Sequence, residues 1–280
     1  MKTMKFPRIT LFLIVASFFS CQTEESNEQP VYVEQNGVSE EIISKLADLN
    51  MNTNDVKKVD FILPDGTTTP MIQLEGDIHM TEEQILNLPN LEEELSGRNY
   101  HTNNLVAQNT TINIIGYTGG GGFGLSSKAQ TALQWAVNNY NRLNLSINFN
   151  LTFGANYQSE DMVVYNNPSQ SGSGGSAGFP AEGAPFKFIQ IYGLEALNTN
   201  VNEHVITHEI GHAVGLRHTD YFSRQSCGEN VNEGVGSIGA NPIPGTPSGY
   251  DPTSIMLACF NLSTNGEFNS NDITALRYMY

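Results

Sequence analysis

Apolar positions change their period along this chain, and the changes mark its elements. After residue 127 they recur at Ala129, Ala132, Leu133, Ala136, Val137 and Tyr140. Steps of three and four put all six on one stripe, which predicts a long helix backing a sheet. Ser127 with Gln130 offers this helix a capping box. Residues 111–117 (T-I-N-I-I-G-Y) read as a strand, and 146–153 alternate polar and apolar as a second. Strands over 161–166 and 186–192 follow. A helix over 201–214, capped by Asn200 with Glu203, is apolar on most sides apart from its histidines, which predicts burial. A last helix, 272–280, places Ile273, Leu276 and Tyr280 on one face, with Ser270-Asn271 as its cap. Before residue 108 the pattern is finer. Ser39 starts a helix over 40–49, 61–66 (F-I-L-P-D-G) reads as strand and turn, and 71–74 as the returning strand. Thr81 with Gln84 then makes a capping box. The glycine run 119–122 lacks the spacing and lysine of a phosphate loop and reads as a turn.

Composition narrows the class. The 280 residues could form one large domain or two small ones, and 15% are charged. Lys2, Lys5 and Arg8 precede an apolar run, 9–19, that is too short to span a bilayer and has the length of a signal h-region. With residues 1–20 removed, 10 basic residues (13 less these three) face 29 acidic ones, a formal charge of −19. Such a surface repels nucleic acid and anionic lipid, so no nucleic-acid partner is expected. The run ends Phe18-Phe19-Ser20-Cys21, which resembles a bacterial lipobox although Phe18 stands where leucine is usual. Cleavage before Cys21 and acylation of its thiol are implied, with an ordinary secretory signal as the alternative. Acidic Glu24 and Glu25 just after Cys21 point to an outer-membrane lipoprotein exposed at the cell surface, or else a secreted protein. Membrane contact is then expected through the lipid anchor alone. Cys227 and Cys259 remain, an even pair in an exported chain, and a bridge between them is expected over two buried thiols.

The chemistry is concentrated in His208-Glu209-Ile210-Gly211-His212-Ala213-Val214-Gly215-Leu216-Arg217-His218, which fits H-E-x-x-H-x-x-G-x-x-H. Positions four apart share a helix face, so His208 and His212 can grip one ion. Glu209 lies beside the first ligand and can reach a water on the ion. Gly215 can take positive φ, end the helix and swing His218 back as third ligand. Three neutral imidazoles leave one position open on a tetrahedral zinc, the mark of a catalytic site.

This window resembles the metzincin zinc endopeptidases, whose motif is followed by a Met-turn. Ser254-Ile255-Met256 supplies that turn, 38 residues beyond His218. More narrowly, H-E-I-G-H with Arg217-His218-Thr219-Asp220, Ile243-Pro244-Gly245-Thr246-Pro247 and Ser254-Ile255-Met256 resemble the dual-action HEIGH metallopeptidases. The resemblance covers roughly residues 99 to 280. It implies an α+β, metzincin-like (zincin) domain with a mixed twisted sheet, backing helix, active-site helix and C-terminal helix, plus a small N-terminal region. The boundaries expected are 1–20 signal peptide, 21–36 tether, 37–107 accessory region or propeptide, and 108–280 peptidase domain. One catalytic Zn2+ is implied on His208, His212 and His218, lowering the pKa of a bound water from about 15.7 toward about 7. Glu209 would be the general base and proton donor to the leaving amine, in a monomer acting on protein or peptide. Met256 would form a hydrophobic base under the ligands. The tyrosine that several metzincin groups carry two residues after the methionine is absent here, where Leu257-Ala258 follows. A sheet edge bordering the cleft, in either the 161–166 or the 186–192 region, would take substrate by strand addition.

Other polar residues have blander readings. Metzincin propeptides often lend the zinc a ligand, commonly cysteine, but no cysteine lies between residues 22 and 226. Asp77 could serve instead, yet reads as an acid in a solvated turn. His79 and His101 read as surface residues, and His204 as a neighbour of the ligands or a surface residue. Asp220 would hydrogen-bond a ligand imidazole or the nearby chain, or be a solvated turn acid. Against the endopeptidase stand a surface-binding or adhesion lipoprotein with the fold but little turnover, and a zinc hydrolase of a non-peptide amide or ester.

Overall fold

A computed structural model describes residues 36–49, 51–88, 100–102, 104–221, 223–229, 241–247 and 249–280. The expected signal peptide, the acylation at Cys21 and all but the last residue of the tether lie outside them. Val33–Tyr280 forms one compact unit.

The chain opens with α1 (Glu40–Asp48), β1 (Lys57–Ile62), β2 (Thr68–Leu74), β3 (Ile78–Met80) and α2 (Glu82–Asn87). Ser39 accepts the Ile42 N–H, and Thr81 with Gln84 forms the expected capping box. The strands pair antiparallel in the order β1-β2-β3. After β4 (Tyr100–His101) come β5 (Thr111–Tyr117), α3 (Ser127–Asn141), β6 (Asn148–Gly154), β7 (Met162–Asn166), β8 (Gly174–Ser176), β9 (Phe188–Tyr192) and α4 (Thr199–Ala213). β10 (Asn241–Pro242) pairs with β4, and α5 (Ser270–Met279) closes the chain.

The large sheet runs β6-β5-β7-β9-β8, parallel except for β8, which is antiparallel to β9. Neither strand expected to border the cleft, β7 or β9, is an edge, because each is paired on both sides; the edge beside the site is another strand. It is β8, drawn from the glycine- and serine-rich stretch, because a strand of three residues gains its order from its neighbour rather than from its own side chains. Across one face lies α3, whose Ala129, Ala132, Leu133, Ala136, Val137 and Tyr140 are all buried. Three of the six are alanines, so α3 can approach α4 closely, and the Tyr140 hydroxyl donates to the Thr207 carbonyl of α4 at 2.8 Å.

Three expected caps are displaced. Ser126 caps α3 by accepting the Ala129 N–H; N3 is therefore an alanine and no capping box forms, while Gln130 Nε2 donates to the Leu125 carbonyl. Asn198, not Asn200, caps α4, and Asn269 caps α5 in a box with Asp272. Several capping residues crowd each start, and docking of the helix selects the one whose backbone is extended.

The N-terminal elements build their own core of Ile42, Leu46, Ile72, Leu74, Ile78 and others, and Phe179 from the later chain inserts into it. Phe61 and Met71 belong to the main core instead. The Ile62 carbonyl accepts from both Tyr165 and Gln190 of the large sheet. β3 reaches the end of β8, where Ile78 bridges Ala177 in parallel. His79, expected at the surface, is therefore buried with its ring 4.9 Å from that of Phe61, and burial lowers its pKa to about 4. His101 is half-buried rather than exposed.

Candidate metal centre

α4 carries the first half of the centre. Asn198 Oδ1 accepts the Val201 N–H at 2.9 Å, and every residue from Val201 to the end of the helix is buried. The exit is set by Gly215 at φ 109, as its sequence position predicts. The Leu216 N–H reaches the Gly211 carbonyl and the Gly215 N–H the His212 carbonyl, both at 2.8 Å, which is a Schellman ending. The reversal brings the Leu216 carbonyl within 2.8 Å of His212 Nδ1 and returns His218 toward the helix.

Each imidazole is oriented by its outer nitrogen. His208 Nδ1 donates to the Ile255 carbonyl at 2.8 Å, His212 Nδ1 to the Leu216 carbonyl, and His218 Nδ1 to Glu75 Oε2 at 3.1 Å. Carbonyls and carboxylates can only accept, so in the neutral rings all three Nε2 lone pairs point inward. They converge. Nε2 of His212 and of His218 are 3.2 Å apart, and one donor atom from each of His208, His212, His218 and Asp77 lies within 4.8 Å of the rest.

Inward lone pairs this close repel unless something positive sits among them. A proton on His218 Nε2 would satisfy the contact with Asp77 alone. A single divalent cation would satisfy all four donors, and imidazole with carboxylate is a donor set that suits zinc. Asp77 Oδ1 and Glu209 Oε2 are both buried without a hydrogen-bond partner. The residues present thus fit the ion that the sequence implies.

Glu209 lies against the edge strand. An ideal Cβ on Gly175 would meet its Cγ and Oε1 at 2.6 Å, so only glycine leaves that carboxyl room. Burial, and then the Asp77 carboxylate, push the Glu209 carboxyl well above its ordinary range.

Asp77 is not in a solvated turn. Its Oδ2 lies 3.0 Å from His218 Nε2 and 3.6 Å from His208 Nε2. Sequence reasoning underweighted it because nothing local distinguishes an acid after a glycine; the placement depends on β3 docking against β8. Sequence reasoning missed Glu75 altogether. Burial would raise its pKa, but Arg217 and the His218 ring reverse this and hold it at about 2. Glu75 Oε1 accepts from the Arg217 guanidinium at 3.1 Å, with both side chains almost wholly enclosed. The only sequence trace was the pattern Glu75-Gly76-Asp77, a glycine between two acids after an apolar strand.

The Ser254–Met256 turn is clamped from α5. Asp272 accepts the Ser254 hydroxyl at 2.7 Å and the Ile255 N–H at 3.0 Å, which fixes the carbonyl that orients His208. Met256 is buried under α4, with its Sδ 2.5 Å from where a Cβ on Gly211 would stand. Asp220 hydrogen-bonds the nearby chain, one of the two bonding roles expected of it. It is fully buried and accepts the N–H groups of Ser226 and Ala258, both at 2.9 Å. Those two positions adjoin the Cys227–Cys259 disulfide at the cleft rim. His204 stays outside the four-residue cluster, one turn before His208, with Nδ1 2.8 Å from Thr264 Oγ1. A cavity of about 540 Å³ opens beside Glu209, lined among others by Gly174, Gly175, Tyr192, Val205, Leu257 and Phe260.

Residues 72–280 match the family model described as dual-action HEIGH metallo-peptidase. No curated protein sequence matches the chain. Two solved structures, both of myroilysin, are similar at 13% identity and a TM-score of 0.40. One aligns 62% of this chain with 81% of its own, the other 69% with 99%.

Proposed function

Since this chain belongs to the dual-action HEIGH metallopeptidases, we propose that it is a zinc-dependent endopeptidase cutting internal peptide bonds of envelope or extracellular proteins. His208, His212 and His218 would hold the ion, each ring already fixed by the hydrogen bond of its outer nitrogen. When bound, zinc supplies Lewis-acid polarisation of a carbonyl and a lowered pKa for water. Glu209 takes the proton from the attacking water and returns it to the leaving amine. The peptide lies extended along β8, which is paired on one side only by β9, and main-chain hydrogen bonds hold it irrespective of its side chains. Its side chains then face the cavity bordered by Val205, Leu257 and Phe260. The signal-like residues 1–20 and the lipobox-like Cys21 support an exported, lipid-anchored protein.

The inward convergence of three imidazole lone pairs beside a buried, unpartnered Glu209 oxygen carries this reading. The test is metal analysis together with digestion of a peptide library, with and without chelator, on the chain and its Glu209→Gln variant, each also with Asp77, the carboxylate facing the imidazoles, replaced by alanine. Glu209→Gln should keep one equivalent of zinc and lose about 10²–10⁴-fold in cleavage. Cleavage that survives this substitution, or survives chelation, would remove the mechanism.

A further inference from the structure

The approach to the metal centre is covered by the chain's own N-terminal unit. The Ala177 N–H donates to the Asp77 carbonyl at 3.0 Å, and the His79 N–H donates to the Ala177 carbonyl at 2.7 Å. This parallel pairing begins one residue beyond β8, on the strand edge that a bound peptide would use. Glu75, Gly76 and Asp77 line the same cavity as Gly174, Gly175 and Glu209. At its inner end Asp77 Oδ2 reaches two of the three converging Nε2 atoms.

The turn is held in this position firmly. Glu75 takes φ 53, a left-handed conformation that a non-glycine residue adopts at a cost, and Gly76 follows at φ 90. Such a turn persists only where its surroundings over-determine it. Glu75 Oε1 accepts from Arg217 at 3.1 Å and from the Asn52 N–H at 3.3 Å. Its Oε2 accepts from His218, its N–H donates to Asp55, and its carbonyl accepts from Arg224. One carboxylate therefore fixes the third imidazole from behind while the next but one meets it in front.

We propose that Asp77 is a fourth protein ligand of the metal, and that the chain folded this way is a latent form. Three imidazoles and a carboxylate make a closed set of four protein donors, which leaves no position for the chemistry. Asp77 is thus a stopper on the coordination sphere, and β3 a stopper on the substrate strand. Activation requires withdrawal of Asp77, by cutting the chain or by displacing β3 from Ala177. The ligand assignment stands independently of the peptidase reading, whereas the latency rests on it.

The test uses the full chain loaded with one equivalent of cobalt(II), as wild type, Asp77→Asn and Asp77→Ala. The visible spectrum reports the donor set, acetohydroxamate titration reports an open position, and a peptide-library digest of the zinc forms reports activity. The wild type should refuse hydroxamate. Asp77→Ala should show an altered spectrum, bind hydroxamate at least 10-fold more tightly and cleave at least 10-fold faster. Equal spectra and equal hydroxamate affinity in all three would overturn the ligand assignment, even if all three cleaved peptides. Ready uptake of hydroxamate by the wild type would overturn it without any variant having to fold. An altered spectrum with new hydroxamate binding but no cleavage by any form would uphold the ligand and defeat the peptidase reading. Altered spectra with cleavage no faster than wild type would overturn the latency.

Discussion

Glu75→Gln should destabilise the metal-free chain substantially at neutral pH and much less in acid. The carboxylate is almost wholly enclosed beside the equally enclosed Arg217 guanidinium. The amide is nearly isosteric, so packing is kept while the charge is lost. It also turns an NH2 group toward the N–H of His218 Nδ1, donor against donor. Breaking a buried ion pair from one side costs about 3–5 kcal/mol. Linkage gives a second route to the magnitude. A folded value of about 2 against an ordinary 4.5 corresponds to roughly 3 kcal/mol. Because the folded value is depressed, this contribution is fully present above pH 4.5 and fades as pH falls toward 2. Chemical denaturation of both proteins after chelation, at pH 7 and at stepped pH below 4.5, measures the gap. The expected gap is about 3–5 kcal/mol at pH 7, closing in acid. A gap below about 1 kcal/mol, no larger than an exposed pair would give, or one that does not change with pH, would refute the reasoning.

Three further outcomes can be checked on the same protein. Gly175→Ala should displace Glu209, since its Cβ would stand 2.6 Å from the carboxyl. Made in the Asp77→Ala form, whose coordination sphere is open, the change should lower cleavage about 10²-fold with zinc content unchanged, and a loss of zinc instead would contradict that placement. Asp272→Asn should loosen the Ile255 carbonyl that orients His208 and so weaken zinc binding about 10–100-fold, read by competition with a chromophoric chelator. Reducing the Cys227–Cys259 bridge, which spans 32 positions, should cost roughly 3–4 kcal/mol in denaturation with and without reductant. An unchanged midpoint would show that the Asp220 bonds to Ser226 and Ala258 already fix the two loops.

What the sequence determined by itself is what short-range geometry controls. The facing of His208 and His212 follows from the helical repeat, the return of His218 from a glycine that alone tolerates φ 109, and the stripe of α3 from spacing. Strands with β-branched runs, such as β5, were legible to the residue, whereas caps slipped by one or two positions because neighbouring Asn and Ser residues are locally equivalent. Tertiary structure decided the rest. Glu75 and Asp77 meet His218 across more than 140 positions, and Asp272 meets Ile255 across 17. Whether a carboxylate is solvated, clamps a turn or faces three imidazoles depends on which strand edge its segment docks against. That docking is the sum of many weak contacts, from Ile78 on Ala177 to Phe179 in the N-terminal core, and no local pattern of residues encodes it.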